Sequence, residues 1–280
     1  MIKSDNHVHT AFSTDSSTPM ESMLTKAIEL GFSSICFTDH MDYDFPSQNG
    51  KIEFLLDVCA YFNEMKRLEV LYPQICIRRG IELGLKKNVI NQCVELVNKY
   101  KFDFIIASTH LVNNIDPYLD TYWQGIDEQS AILKYYETTL ENVKSDADFD
   151  VYGHIDYITR YTPYIKKLRK DNLHDDAYSL KTAEDFLDII EEIFKVLIYN
   201  GKGIEINTGG LKYGTNHTNP HEEILKLYHK LGGEIITVGS DAHETKHLGF
   251  GFDKVPEILK SCGFKYYTEF TGRKAKMLTI

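Results

Sequence analysis

Short apolar, β-branched runs alternate with longer stretches of helical spacing about seven times along the chain. That alternation restricts the fold more than any other feature. Strands are expected over 2–7, 34–38, 75–81, 104–108, 151–153, 203–206 and 235–238. Helices are expected over about 18–30, 52–71, 87–99, 128–145, 180–200 and 220–231. Strand, helix, strand, repeated in this way, gives parallel β/α architecture, and seven units favour a closed or nearly closed barrel over an open sheet. The first helix is the best marked, because Thr18-Pro19-Met20-Glu21 reads as a capping box with proline at the first helical position, and Gly31 reads as its stop. Over 180–200, Leu187, Ile190, Ile193, Phe194 and Leu197 recur at helical spacing and predict one helix with a core-facing stripe. No linker, repeat or shift in composition divides the chain, so residues 1–280 are read as a single α/β domain.

A chain of 280 residues that is 42% apolar can bury a sizeable core. No run approaches the ~18 apolar residues of a membrane span, and the first residues, MIKSDNH, lack a secretory pattern. Cys36, Cys59, Cys76, Cys93 and Cys262 are odd in number and form no CxxC pair, so each is read as a buried, reduced thiol. The expectation is a cytoplasmic protein. A net charge of -10 argues against a nucleic-acid partner, which would need clustered Lys and Arg. The one basic cluster, KKLRK at 166–170, reads as a solvated face.

Ionisable residues fall on this skeleton in a pattern. His7 and His9 end the first strand, Asp39 and His40 the second, Glu82 the third, His110 the fourth and His154 the fifth. Asn207 follows the sixth, and Asp241 and His243 follow the seventh. In a parallel barrel all these ends converge on one face, where such folds carry their active sites. A single histidine after a strand is ordinarily a loop or satisfied core residue, but a run of them at successive strand ends is not a set of independent accidents. His174, His217, His221, His229 and His247 sit instead in polar loops or on helices and are read as solvent-facing, with a weak rim role open to His217 and His221 beside the TNP turn.

With Asp15, the candidate ligands are His7, His9, Asp15, His40, Glu82, His110, His154, Asp241 and His243. Imidazole and carboxylate without thiolate suit Zn, Mn or Fe. Nine ligands exceed the needs of one tetrahedral ion and suffice for two or three if a carboxylate bridges. Clustered ions of this kind serve phosphoryl transfer and hydrolysis.

The segments HVHT, TDH, GIE, STH, GHID and GSDAH, in this order, resemble the PHP (polymerase and histidinol phosphatase) superfamily from the first residues to about position 250. TDHMDYDFP, ASTHLVNNIDPY and DFDVYGHIDYITRYTPY are most similar to its stand-alone histidinol-phosphatase branch. The resemblance implies a distorted seven-stranded (β/α) barrel with three divalent metal ions. It implies that His7, His9, Glu82 and Asp241 hold one ion, that Glu82 bridges to a second held by His110 and His154, and that Asp15, His40 and His243 hold the third. Aspartate at position 15, where many relatives have histidine, is itself a trait of that branch. The implied reaction is hydrolysis of a small phosphorylated substrate, L-histidinol phosphate, to histidinol and phosphate. Glu82, Asp15 and His40 are its catalytic candidates, and Arg160 is the phosphate-binding candidate, because guanidinium suits bidentate phosphate contact. Asp42, Tyr43, Asp44, Asp116 and Tyr118 are loop residues that could meet the substrate's ammonium and imidazole.

Three other readings compete. A PHP phosphoesterase could act on a nucleotide or sugar phosphate instead. A non-catalytic barrel would have lost metal ligands, and none of the nine is lost. Amidohydrolase chemistry would want a bridging lysine, and none ends a predicted strand.

Overall fold

Side-chain alternation along the strands decides what fills the centre of this molecule. A computed structural model describes residues 2–47, 54–213 and 215–280. Its parallel strands are β1 (Ser4–Val8), β2 (Ser34–Phe37), β3 (His40–Met41), β4 (Cys76–Gly84), β5 (Phe104–Ser108), β6 (Val151–Tyr152), β7 (Gly203–Asn207) and β8 (Ile236–Gly239). They lie in the order β1-β2-β4-β5-β6-β7-β8, with the two-residue β3 a branch on β4. The ring all but closes. Beyond β8, Asp241 N donates to His7 O at 2.9 Å and His9 N donates to Ala242 O at 2.9 Å, while Val8 and Ala242 form a parallel bridge.

Ile35, Phe37, Ile77, Ile81, Leu83, Ile105, Ala107, Ile204, Ile206, Ile236 and Val238 point out of the ring into the core beneath the helices. The residues between them point inward and differ by height. At the amino-terminal end Cys36, Phe104, Ile106 and Val151 pack with Phe270 into a small separate cluster. At the carboxyl end the inward positions are polar.

The helices are α1 (Met20–Glu29), α2 (Val58–Leu71), α3 (Ile90–Lys99), α4 (Glu128–Val143), α5 (Pro163–Lys170), α6 (Asp176–Glu184), α7 (Leu187–Tyr199), α8 (Glu222–Lys230) and α9 (Val255–Ser261). A hairpin, β9 (Tyr266–Thr271) with β10 (Lys274–Thr279), follows and covers the amino-terminal end. There Arg78 Nη1 donates to Phe270 O at 3.2 Å.

Several expectations need correction. The capping box does not form. Thr18 Oγ1 donates to His243 O at 2.8 Å, and Glu21 is taken by the Tyr72 hydroxyl and the Arg67 guanidinium, each at 2.6 Å. Helix α1 therefore starts at Met20 without a side-chain cap. The predicted helix over 52–71 begins at Val58, where the Asp57 carboxylate accepts from Ala60 N at 3.0 Å; its residues 52 and 53 lie outside the described residues. The helix over 180–200 is two helices. Phe186 turns inward against Tyr136, so that α6 packs on α8 while α7 packs on α4 and α8. The helix over 87–99 opens with a 3-10 turn at Lys87–Val89. Cys59 and Cys76 are exposed, not buried. Among the described residues no helix is long and apolar enough to cross a membrane.

Candidate metal centre

Strand β4 delivers the group around which the others assemble. Its inward set runs Arg78, Gly80, Glu82 and Gly84, and the Glu82 carboxylate, fully buried, stands at the centre of the ring. Glu82 Oε1 accepts from Ser108 Oγ at 2.6 Å and lies 3.2 Å from His110 Nε2 and 3.0 Å from His154 Nε2. Glu82 Oε2 lies 3.1 Å from His7 Nε2, 3.4 Å from His9 Nε2 and 3.2 Å from His40 Nδ1. One carboxylate thus faces five imidazoles carried by four different strand ends.

Asp241 and Asp15 complete the acid set. Asp241 Oδ1 is 3.6 Å from His9 Nε2 and 3.9 Å from His7 Nε2. Asp241 sits in the left-handed region with φ 55°, a costly conformation for a non-glycine residue. The bond from its N–H to His7 O, and the bonds its carbonyl accepts from Lys212 Nζ and His243 Nδ1, hold it there. Asp15 Oδ2 lies 3.1 Å from His243 Nε2 and 3.6 Å from His40 Nε2. The His9 ring stacks on those of His40 and His243, with centroids 4.3 and 4.1 Å apart. All nine residues singled out in the sequence are therefore gathered in one cluster.

Within the cluster, three sets of nitrogen and oxygen atoms close enough to share an ion follow the expected grouping in part: His7, His9 and Glu82; Glu82, His110 and His154; His9, His40 and His243. A fourth set, His40, Asp42 and His110, brings in one of the loop acids expected only as a possible substrate contact.

The donor set fits divalent ions on two observations. Buried polar atoms facing the cluster, among them Glu82 Oε2, His40 Nδ1 and His243 Nε2, have no hydrogen-bond partner in the protein. The charges also call for compensation. Burial pushes the Glu82 carboxyl up, but positive charge on His7, His40 and His110 outweighs it and holds that carboxyl well below its usual range. Asp241 follows the same pattern, with His7 and Arg160 as the main cations. Carboxylates buried this deeply persist as anions only beside cations, protons on imidazole or metal ions alike.

Two carboxylates orient these histidines: Glu205, absent from the sequence expectations, and Asp42, expected there only as a possible substrate contact. Glu205 Oε1 accepts from His7 Nδ1 at 2.7 Å, and Asp42 Oδ1 accepts from His110 Nδ1 at 2.6 Å. A carboxylate on the far nitrogen fixes the tautomer and ring plane of a metal-ligating histidine. Glu205 was detectable in principle, since Gly203, Glu205 and Asn207 alternate with Ile204 and Ile206 along a buried strand.

Above the cluster lies a cavity of about 490 Å³. Arg160 lines it while being only 1% exposed. Its Nη1 donates to Asp241 Oδ2 and its Nη2 to Asn207 Oδ1, both at 2.9 Å, and its Nε donates to Asn219 Oδ1 at 2.6 Å. Tyr157 and Tyr213 flank the guanidinium. Of the loop residues expected near the substrate, Asp116 and Asp42 line this cavity. The Asp42 carboxylate is engaged by His110, Asp44 is bound to Lys86 at 3.0 Å on the surface, and Tyr43 and Tyr118 do not line the cavity. The KKLRK segment is not wholly a solvated face, because Arg169 donates to Arg160 O at 2.8 Å and reaches the cavity. His217 is buried, and His221 and His247 are half-buried rather than solvent-facing. His174 and His229 are exposed as expected.

Comparison with known proteins places this geometry among relatives. The PHP domain model matches residues 5–209. The histidinol-phosphatase of Lactococcus lactis is 33% identical over 277 residues, covering 98% of this chain and 96% of that one. A Clostridium acetobutylicum protein named probable histidinol-phosphatase is 30% identical over 266 residues, 93% and 94% of the two chains. The crystal structure of the Lactococcus lactis histidinol phosphate phosphatase, complexed with Zn, L-histidinol and phosphate, superposes with a TM-score of 0.82 at 28% identity over 98% of each chain.

Proposed function

The chain belongs to the PHP domain family, and from that premise we propose that it is a metal-dependent phosphomonoester hydrolase converting L-histidinol phosphate to L-histidinol and phosphate. The observation that carries this reading is the gathering of six imidazoles and three carboxylates beneath a cavity walled by a buried arginine. A relative alike over 98% of its length holds histidinol and phosphate together.

Three divalent ions, of Zn, Mn or Fe, are assigned to the cluster. His7, His9, Asp241 and Glu82 would hold one; Glu82, His110 and His154 the second; Asp15, His40 and His243 the third. When bound, such ions supply Lewis acidity to a phosphoryl group and a nucleophile from water at neutral pH. The chain's own groups do the rest. Arg160 meets the phosphoryl oxygens with the N–H groups left free on its terminal nitrogens, adding fixed positive charge where negative charge spreads over the equatorial oxygens. Side-chain exposure separates the three carboxylates: Glu82 is 0% exposed, Asp241 11% and Asp15 40%. Asp15, the most open of the three, is held ionised beside His40 Nε2 at 3.6 Å and His243 Nε2 at 3.1 Å, so it serves as a ligand facing the cavity and not as the store of the proton that the departing alkoxide needs. Glu82, sealed from solvent, orients the ligands on both sides.

Residues 1–280 act as one domain in this reading, supported by β8, beyond the family match, which extends the sheet on β7 and joins the ring to β1. A cytoplasmic location is supported by five free cysteines.

The test is a substrate panel on metal-reconstituted protein. Histidinol phosphate should exceed p-nitrophenyl phosphate, nucleotides and sugar phosphates in kcat/KM by roughly a hundredfold or more, the scale of several specific polar contacts. Turnover of histidinol phosphate no faster than p-nitrophenyl phosphate would remove the assignment, and a preferred nucleotide or sugar phosphate would replace it.

A further inference from the structure

We infer that Asn219, clamped by Asp156, is the positioning residue that aims Arg160 at the phosphoryl group. The inference rests on the phosphate-binding role of Arg160 given above.

The carrier is a short segment after β7. Asn219 N donates to Asn207 O at 2.8 Å, and Asn207 N donates to Asn219 O at 2.7 Å. This reciprocal pair makes an antiparallel bridge at the carboxyl end of β7 and fixes the Asn219 backbone beside the site. Its side chain then joins two groups that could not satisfy each other at that spacing. Asn219 Oδ1 accepts from Arg160 Nε at 2.6 Å, and Asn219 Nδ2 donates to Asp156 Oδ1 at 2.6 Å. A guanidinium only donates and a carboxylate only accepts, so an amide between them has one orientation that makes both bonds. Asp156 is itself held, since its Oδ2 accepts from His221 N at 3.0 Å. Asn219, Asp156 and Arg160 are each no more than 1% exposed. The seat is tight: a Cβ on Gly210 would lie 2.6 Å from Asn219 Oδ1 and 2.5 Å from His217 O.

The consequence falls on the plane of the guanidinium. Asp241 and Asn207 each take one donor from a terminal nitrogen. Two anchor points leave the fork free to tilt about the line that joins them. The bond from Nε to Asn219 removes that freedom and directs the remaining N–H of each terminal nitrogen into the cavity. In this way a motif that looked like a rim turn, His217-Thr218-Asn219-Pro220, becomes part of phosphate recognition.

The experiment compares Asn219→Ala, Asn219→Asp, the exchange Asn219→Asp/Asp156→Asn, Arg160→Ala, and the Arg160→Ala/Asn219→Ala pair. Each metal-loaded enzyme is assayed on histidinol phosphate, for inhibition by inorganic phosphate and for metal content. Asn219→Ala should raise KM and the phosphate inhibition constant roughly tenfold, the scale of one lost hydrogen bond to a charged group. Its kcat and metal content should stay within about twofold. Asn219→Asp should be worse, because two carboxylates would face each other. The exchanged pair keeps Arg160 Nε donating to residue 219 and restores the bond between 219 and 156 with donor and acceptor reversed, so it should recover most of the loss. The Arg160→Ala/Asn219→Ala enzyme should be no worse than Arg160→Ala.

Unchanged phosphate inhibition in Asn219→Ala, or losses that simply add in the pair, overturns the proposal. So does an exchange no better than Asn219→Asp, and that comparison decides the matter if Asn219→Ala does not fold. If Arg160→Ala itself leaves KM and phosphate inhibition unchanged, the phosphate role of Arg160 falls and takes this inference with it. A normal Arg160→Ala result beside an indifferent Asn219→Ala removes the inference alone.

Discussion

Glu82 and Asp42 show how differently two buried acids serve one centre. Both Glu82 oxygens face imidazoles, and Oε2 has no hydrogen-bond donor in the protein. Replacing Glu82 with Gln keeps the shape but removes the charge. Metal content by elemental analysis should fall, and activity with it by about a hundredfold or more; full activity at unchanged metal content would end the bridging assignment. Asp42 acts through His110. A Cβ on Gly84 would lie 1.8 Å from Asp42 Oδ1, so Gly84→Ala must push that carboxylate off the ring it orients. Both Gly84→Ala and Asp42→Asn should weaken metal retention against a chelator by roughly ten- to a hundredfold. Equal retention in both would make Asp42 a bystander. At this scale the sequence was informative wherever a ligand ended a strand, because position along a parallel strand alone predicts which face a residue joins. It passed over Glu205, although that residue alternates with Ile204 and Ile206 along β7, and it set Asp42 near the substrate, because nothing in the spacing of an acid marks its partner as the far nitrogen of a histidine. It also misplaced His217, whose burial comes from the bridge between Asn207 and Asn219, a contact no local pattern announces.

The elements divide along the same line. The seven apolar runs were legible because a strand covered by helices outside and filled within must be buried on both faces. The capping box over Thr18–Glu21 failed because both side chains found tertiary partners across the surface. The hairpin β9–β10 was not predicted, and its residues show why: β10 is almost wholly exposed, with charged Lys274 and Lys276 alternating along it. True caps behave otherwise. Asp127 accepts from Ser130 N at 2.9 Å at the start of α4, far from the cluster in function though not in sequence order. Asp127→Ala should lower Tm by a few degrees, with kcat/KM on histidinol phosphate unchanged. A loss of activity at unchanged Tm would mean that α4 shapes the site, as its buried Thr139 and Asn142, in contact with the Thr109 hydroxyl, would then have to explain.

Over the whole molecule the ring has two unlike ends. At the amino-terminal end it is plugged. Phe270 stacks on Phe104 at 5.2 Å, Arg78 donates to Phe270 O, and Arg273 Nε reaches Asp150 at 2.6 Å, so the hairpin joins strands far apart in sequence. At the carboxyl end no apolar plug exists among the described residues; imidazoles and carboxylates occupy the inward positions instead. The seam between β1 and the chain beyond β8 runs through that end, at His7, His9 and Asp241. Ions held by these residues would therefore brace the seam as well as serve the reaction, and would bind the folded ring far better than the unfolded chain. Linkage then gives the sign and the size: an ion at a hundred times its dissociation constant adds about 2.7 kcal/mol. For a chain of this length that is a Tm higher by about 5 °C. Chelation should lower Tm by that amount while the far-UV circular dichroism at 25 °C is retained, since the apolar core outside the ring does not depend on the cluster. Adding back Zn or Mn should restore it. In Glu82→Gln the gain on adding metal should shrink markedly. A Tm indifferent to complete metal removal, verified by elemental analysis, would show that the seam holds without ions and confine the cluster's role to chemistry.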